Sequence, residues 1–167
     1  MKIRNGFVSN SSSSSFLVAF PRYPKSLKDV QEMVFGEDTW FAHPYGDMKY
    51  YPEGYSAEQI AGLLWAEITK QIPNNKNLIF YKMHNVLVEN LEEYESGRYT
   101  EDDWYFDSQR YEEDNRRAVI EFMDKHKGSY FYHFEFHDDS GEPGGCGCAM
   151  EHGDLFHRLP HLRSSNH

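Results

Sequence analysis

Residues 129–137 read SYFYHFEFH. In an extended strand their strict alternation sends Tyr130, Tyr132, Phe134 and Phe136 to one side and Phe131, His133, Glu135 and His137 to the other. The first side is core. The second displays His-x-Glu-x-His, three acid–base or ligating groups set about 6.5–7 Å apart along the strand. Neighbours in that row can share an ion, whereas the outer imidazoles, about 13 Å apart on a straight strand, need a bend to do so. The fold turns on what lies beside this strand.

Immediately downstream, DDSGEPGG (138–145) has turn chemistry and CGCAME (146–151) reads as the returning strand of a hairpin, 129–137 against 145–151. A symmetric loop over 138–144 opposes Phe136 to Cys146 and Phe134 to Cys148, which sets both thiols in the apolar layer as small hydrophobes. A slip of one residue turns them to the histidine side, where a zinc-like His/Cys set would follow. Only Gly147 separates the two cysteines, so a bridge between them is strained. Reduced thiols are expected, as in a cytoplasmic protein.

The tail, MEHGDLFHRLPHLRSSNH (150–167), adds four histidines, and six of the nine in the chain lie from 133 onward. Neutral imidazole ligates divalent metals and titrates near neutrality, so this crowding points to a metal or acid–base site. The candidate ligands are His133, Glu135, His137, His152, Asp154, His161 and His167, with a divalent ion such as zinc as the cofactor. The spacings match no zinc signature: C-x-C is not C-x-x-C, and H-E-x-x-H is absent. Residues 161–167 alternate as a last strand that sets His161, Arg163, Ser165 and His167 on one side, a group suited to an anion such as phosphate. No G-x-S-x-G elbow, P-loop or dinucleotide fingerprint is present.

At the other end, GFVSNSSSSSF (6–16) leads into the apolar run Phe16–Phe20, stopped by Pro21. SSFLVAF (14–20) therefore reads as a buried strand, with the serines as its ordered entry, able to lend hydroxyls or N–H groups to a ligand near the histidines. The same serines break the apolar segment that a signal peptide would need. Ser26 and Asp29 open a helix with Leu27, Val30, Met33 and Val34 on one face, ending at Gly36. Residues 37–55 read as a long aromatic loop. Ser56 and Gln59 open a second helix with Ile60, Leu63, Leu64, Ile68 and Ile72 inward, closed by Pro73. NLIFYKM (77–83) suits a strand leading to a helix that runs on to Gly97. The acidic stretch 89–114 reads as a solvated face, and its flanking helix carries Ala118, Val119, Phe122 and Met123 inward.

The bulk composition narrows function. With 27 acidic against 17 basic residues the formal charge is −10, so the mean field repels nucleic-acid backbones and anionic membranes. The N-terminal cations Lys2, Arg4, Arg22, Lys25 and Lys28 read as solvated surface rather than a binding patch. No run of about 18 apolar residues exists to span a bilayer. Aromatic residues make up 16% of 167, enough for one ring-rich core without disulfides.

The stretch GFVSNSSSSSF resembles an N-terminal signature of small bacterial and phage proteins that carry no assigned activity, and MEHGDLFHRLPHLRSSNH is similar to the ending of some of them. The resemblance implies a bacterial or phage origin and a folded role for both ends.

The expectation is a single α+β domain over residues 1–167: an antiparallel sheet of the strand at 14–20, the C-terminal hairpin and the last strand, covered by two to four helices. Two functions are expected. One is a His/Glu-rich metal- or anion-binding site for a small ligand, open to hydrolytic chemistry. The other is a non-catalytic accessory role, with the aromatic loop 37–55 or the acidic face 89–115 docking a protein.

Overall fold

The structure, a computed structural model, describes residues 13–49, 51–83, 104–137 and 146–165. β1 (Ser13–Phe20) is the middle strand of a three-stranded antiparallel sheet, flanked by β4 (Tyr130–His137) and β5 (His161–Ser165). The apolar run from Phe16 to Phe20 explains that central place. A strand buried on both faces reads as continuous hydrophobicity, and all eight residues of β1 are buried. The last strand forms as expected. The C-terminal hairpin does not.

Residues 147–152 form helix α5 (Gly147–His152), not a strand paired with β4. One side of β4 is fully paired, and the other is held at Phe131 and His133. One side carries the ladder to β1, Ser13 opposite His137 through Phe20 opposite Tyr130. Along the other, the Phe131 N–H donates to Asn74 Oδ1 at 2.8 Å and the Asn74 N–H donates to the Phe131 carbonyl at 3.0 Å. Ala149 and Met150 are helix formers, and α5 lays them into the core against the Phe134 and Phe136 face. The thiols reach the apolar layer by this other route: Cys146 and Cys148 are buried and unbridged, and Gln59 Nε2 donates to Cys146 Sγ at 3.6 Å.

Strand parity divides the molecule into three layers. Phe16, Val18 and Phe20 of β1 face Tyr132, Phe134 and Phe136, together with α1 (Leu27–Phe35), α2 (Ala57–Ile68), α5 and the Leu155–Leu159 turn. Leu17 and Ala19 face Phe131 on the opposite side, covered by α3 (Lys76–Lys82) and α4 (Trp104–Lys125) through Ile79, Met83, Val119 and Phe122. Five helices are therefore present among the described residues, one more than the expected maximum, because the supposed return strand is itself a helix.

Local signals placed several ends correctly. Ser26 Oγ accepts from the Asp29 N–H, and Gly36 closes α1 with φ +62°, the left-handed backbone that glycine adopts without a Cβ clash. Ser56 Oγ accepts from the Gln59 N–H to open α2. That helix ends at Ile68, so Ile72 lies beyond it and is exposed rather than inward. Residues 77–82 are helical instead of extended, with Met83 as the C-cap: Asn75 Oδ1 accepts from the Leu78 N–H, an N-cap that closes the first turn. The continuation to Gly97 and the acidic stretch 89–103 lie outside the described residues. The aromatic loop contains a two-stranded ribbon, β2 (Trp40–Ala42) with β3 (Gly54–Ser56). Among the described residues no helix is long and apolar enough to cross a membrane.

Candidate functional site at the polar end of the sheet

The His-x-Glu-x-His row lies on the sheet face covered by α3 and α4, and the serine run lies beside it. The ladder puts Ser13 opposite His137 and Ser15 opposite Glu135, and on its other side Ser15 is opposite Ser164. Ser13, Ser15 and Ser164 are buried. One end of this face is thus apolar, around Leu17 and Phe131, and the other is built of hydroxyls, imidazoles and one carboxylate.

Three environments distinguish the row. His133 is 6% exposed, and its Nε2 is buried with no hydrogen-bond partner among the described residues. Burial pushes its pKa down to about 4 against the opposing pull of Glu135, and the Lys82 charge adds to the fall. At neutral pH this imidazole is uncharged. Glu135 meets Lys82 Nζ through Oε2 at 2.8 Å and His137 Nε2 through Oε1 at 3.6 Å. Burial alone would raise its pKa, but the Lys82 hydrogen bond and charge outweigh that, helped by His137 and His133, and hold the carboxyl below its usual value. His137, at the strand end, is the most open of the three.

Beside Glu135 a cleft of about 780 Å3 opens between α3 and α4, walled by Phe80, Tyr81 and Met83 on one side and Asn115, Arg116 and Val119 on the other. Lys82 lines it too, and the Arg116 guanidinium sits 5.0 Å from the centre of the Phe80 ring. Neither Lys82 nor Arg116 stood out in the sequence. The signal for Lys82 was the Asn75 cap: with 76–82 helical, Ile79 and Met83 turn inward and Lys82 falls at the edge of that face, beside the strand. Arg116 lay hidden in an acidic neighbourhood.

The remaining expected ligands are elsewhere. His152 ends α5, with Nε2 3.7 Å from Glu151 Oε2 and its ring 5.7 Å from that of Tyr45. Asp154 is exposed, and its carbonyl meets His157 Nδ1 at 2.8 Å. His161 packs against Phe16 and Phe156, with Nδ1 2.9 Å from the Leu159 carbonyl. These three belong to the α1–α2–α5 side, so the sheet itself separates them from His133, Glu135 and His137. His167 lies outside the described residues. Among the described residues no three His, Cys, Asp or Glu side chains converge to hold a metal ion. Arg163 shares the His161 face, where its Nη2 donates to Ser14 Oγ at 3.1 Å and its guanidinium covers Phe16.

A second imidazole is buried under the aromatic loop. His43 Nδ1 accepts the Tyr45 N–H at 3.0 Å, and the rings of Tyr45, Tyr51 and Tyr55 surround it. Burial, then the charge of His152, lowers its pKa. No family model, curated protein or solved structure matches the chain.

Proposed function

We propose that the cleft between α3 and α4 binds a small organic anion, with the polar end of the sheet as its floor. The carrying observation is that Lys82 from one helix and Arg116 from the other meet around a single opening that Glu135 also lines. Its volume falls in the range of small-molecule sites, about 300–1,000 Å3. Arg116 lies over a ring, and a guanidinium so placed keeps its planar N–H fork for a carboxylate or phosphate. Asn77 and Asn115 supply neutral polar groups to the same opening. A divalent metal such as zinc would find two neighbouring donors here, Glu135 and His137, and no third among the described residues. The anion reading is therefore preferred. Two unbridged thiols fit a reducing cytoplasmic setting, and the resemblance of residues 6–16 and 150–167 supports a bacterial or phage origin.

Calorimetric titration with inorganic phosphate, benzoate and adenosine monophosphate tests this reading. At least one should bind, and Arg116→Ala should weaken that binding tenfold or more. Absence of heat from all three, together with no change in thermal unfolding, would remove it.

A second reading, docking of a protein partner, is favoured by one observation: Trp40, Met48 and Tyr51 of the 37–55 segment are all exposed. Large exposed rings are enriched at interface centres. Co-purification with wild type but not with Trp40→Ser would support it.

A further inference from the structure

We propose that the anion taken by the cleft is the carboxylate of a free α-amino acid with an apolar side chain, and that Glu112 holds the ammonium of the same molecule. The inference rests on the anion-binding reading of the cleft and adds a second, opposite charge to its ligand.

Four charged side chains line the opening, and their surroundings differ. Lys82 and Glu135 are closed on each other at 2.8 Å, so on the strand side the two charges offset one another. Glu112 and Arg116 stand on α4 at positions i and i+4 with the acid first, the order in which such a pair closes most readily on a helix surface. They do not close. Among the described residues neither side chain has an ion pair or a hydrogen bond, and the Arg116 guanidinium lies instead 5.0 Å from the centre of the Phe80 ring on α3.

One carboxylate and one guanidinium therefore border the same opening, each open to a ligand group of the opposite sign. Both residues are exposed, which puts them at its mouth. Side chains one helical turn apart start from Cβ atoms about 5–6 Å from each other, so the ligand that joins them carries its two charges close together. An α-amino acid does so, because its ammonium and carboxylate sit on one carbon. The planar fork of Arg116 takes the carboxylate, and Glu112 accepts from the ammonium. A plain carboxylate answers Arg116 alone.

The side chain of the ligand has its own wall. Phe80, Met83 and Val119 line the opening with apolar surface, and a volume of about 780 Å3 leaves room for an aromatic or branched group. An apolar lining with a few placed polar groups is the usual make-up of a small-molecule site.

Calorimetric titration of the full chain tests the assignment, with phenylalanine and leucine each set beside the acid that lacks only its ammonium, 3-phenylpropionate and 4-methylpentanoate. At least one amino acid should bind about tenfold more tightly than its deaminated partner, as one charge-assisted hydrogen bond provides. Glu112→Gln should abolish that preference and leave the plain acids bound as before, while Arg116→Ala should weaken both members of the pair. Glu112 is exposed, so its variant keeps the fold, which thermal unfolding verifies. Equal affinity within each pair, or a preference that survives Glu112→Gln, overturns the amino-acid assignment. The two readings fail separately: binding of the plain acids, benzoate, phosphate or adenosine monophosphate with no gain from the ammonium leaves the anion site standing alone, and heat from none of these ligands removes both.

Discussion

Gln71 closes the outer edge of β4 by gripping His133 with both ends of its side-chain amide: Nε2 donates to the His133 carbonyl at 2.6 Å, and Oε1 accepts the His133 N–H at 3.0 Å. One glutamine does there what a neighbouring strand would do. With Asn74, which serves Phe131 through its backbone N–H and its side-chain oxygen from a left-handed backbone at φ +62°, it satisfies the outward ladder groups of Phe131 and His133 and blocks a second chain from pairing there.

Removing that grip should be expensive. In Gln71→Ala both backbone groups of a buried residue lose their partner, a loss of about 1–3 kcal/mol for each group that water cannot reach. Gln71→Glu should be worse, because a carboxylate oxygen then faces the His133 carbonyl. Urea unfolding monitored by tryptophan fluorescence measures both, and a midpoint unchanged in either variant contradicts the assignment.

Acid should weaken the protein before its carboxylates titrate. His133 has a folded pKa of about 4 and an unfolded value near 6.5, so below pH 6.5 the unfolded chain binds the proton more readily. The stability tied to keeping this ring neutral is whole above 6.5 and falls as pH drops towards 4, by about 3 kcal/mol in all. His43 acts in the same direction. His133→Leu should flatten the curve between pH 6.5 and 4, and denaturation series at several pH values decide the matter. A wild-type midpoint constant over that interval contradicts the burial of this imidazole.

The thiols should be silent until the molecule opens. Cys146 is fully buried and Cys148 nearly so, one touching Gln59 and both close enough to Tyr55 to raise its phenol pKa after burial has done so. Ellman's reagent should react slowly with the native protein and with two equivalents immediately in denaturant. Fast reaction at both positions in native buffer contradicts their packing.

Much of this arrangement was legible in the residues, and what was not has physical causes. The alternation of 130–137 and the unbroken apolar run 16–20 are strand signals that nothing competes with, and Ser26, Gly36 and Ser56 act through hydrogen bonds within one turn of chain. The polar row was therefore readable as a row. Its neighbours were not, because strand order depends on long-range pairing: CGCAME alternates as well as a strand does, and only the occupied edges of β4 turn it into a helix. For the same reason His152, Asp154 and His161 joined one imagined site although the sheet divides them from His133. Residues 77–83 misled by composition, since Ile79, Phe80 and Tyr81 favour strands and the deciding residue was Asn75, two places upstream.

The central claim is that β1 carries Ser13 against His137 on the face beneath α3 and α4, and cross-strand bridging tests it most directly. In a Cys146→Ala/Cys148→Ala background, Ser13→Cys with His137→Cys should oxidise to an intramolecular disulfide, since facing residues of an antiparallel pair have Cα atoms within bridging distance. Ser14→Cys with His137→Cys, which points to opposite faces, should stay reduced. The reverse result, bridging of the second pair and not the first, would shift the register by one residue and dismantle the site.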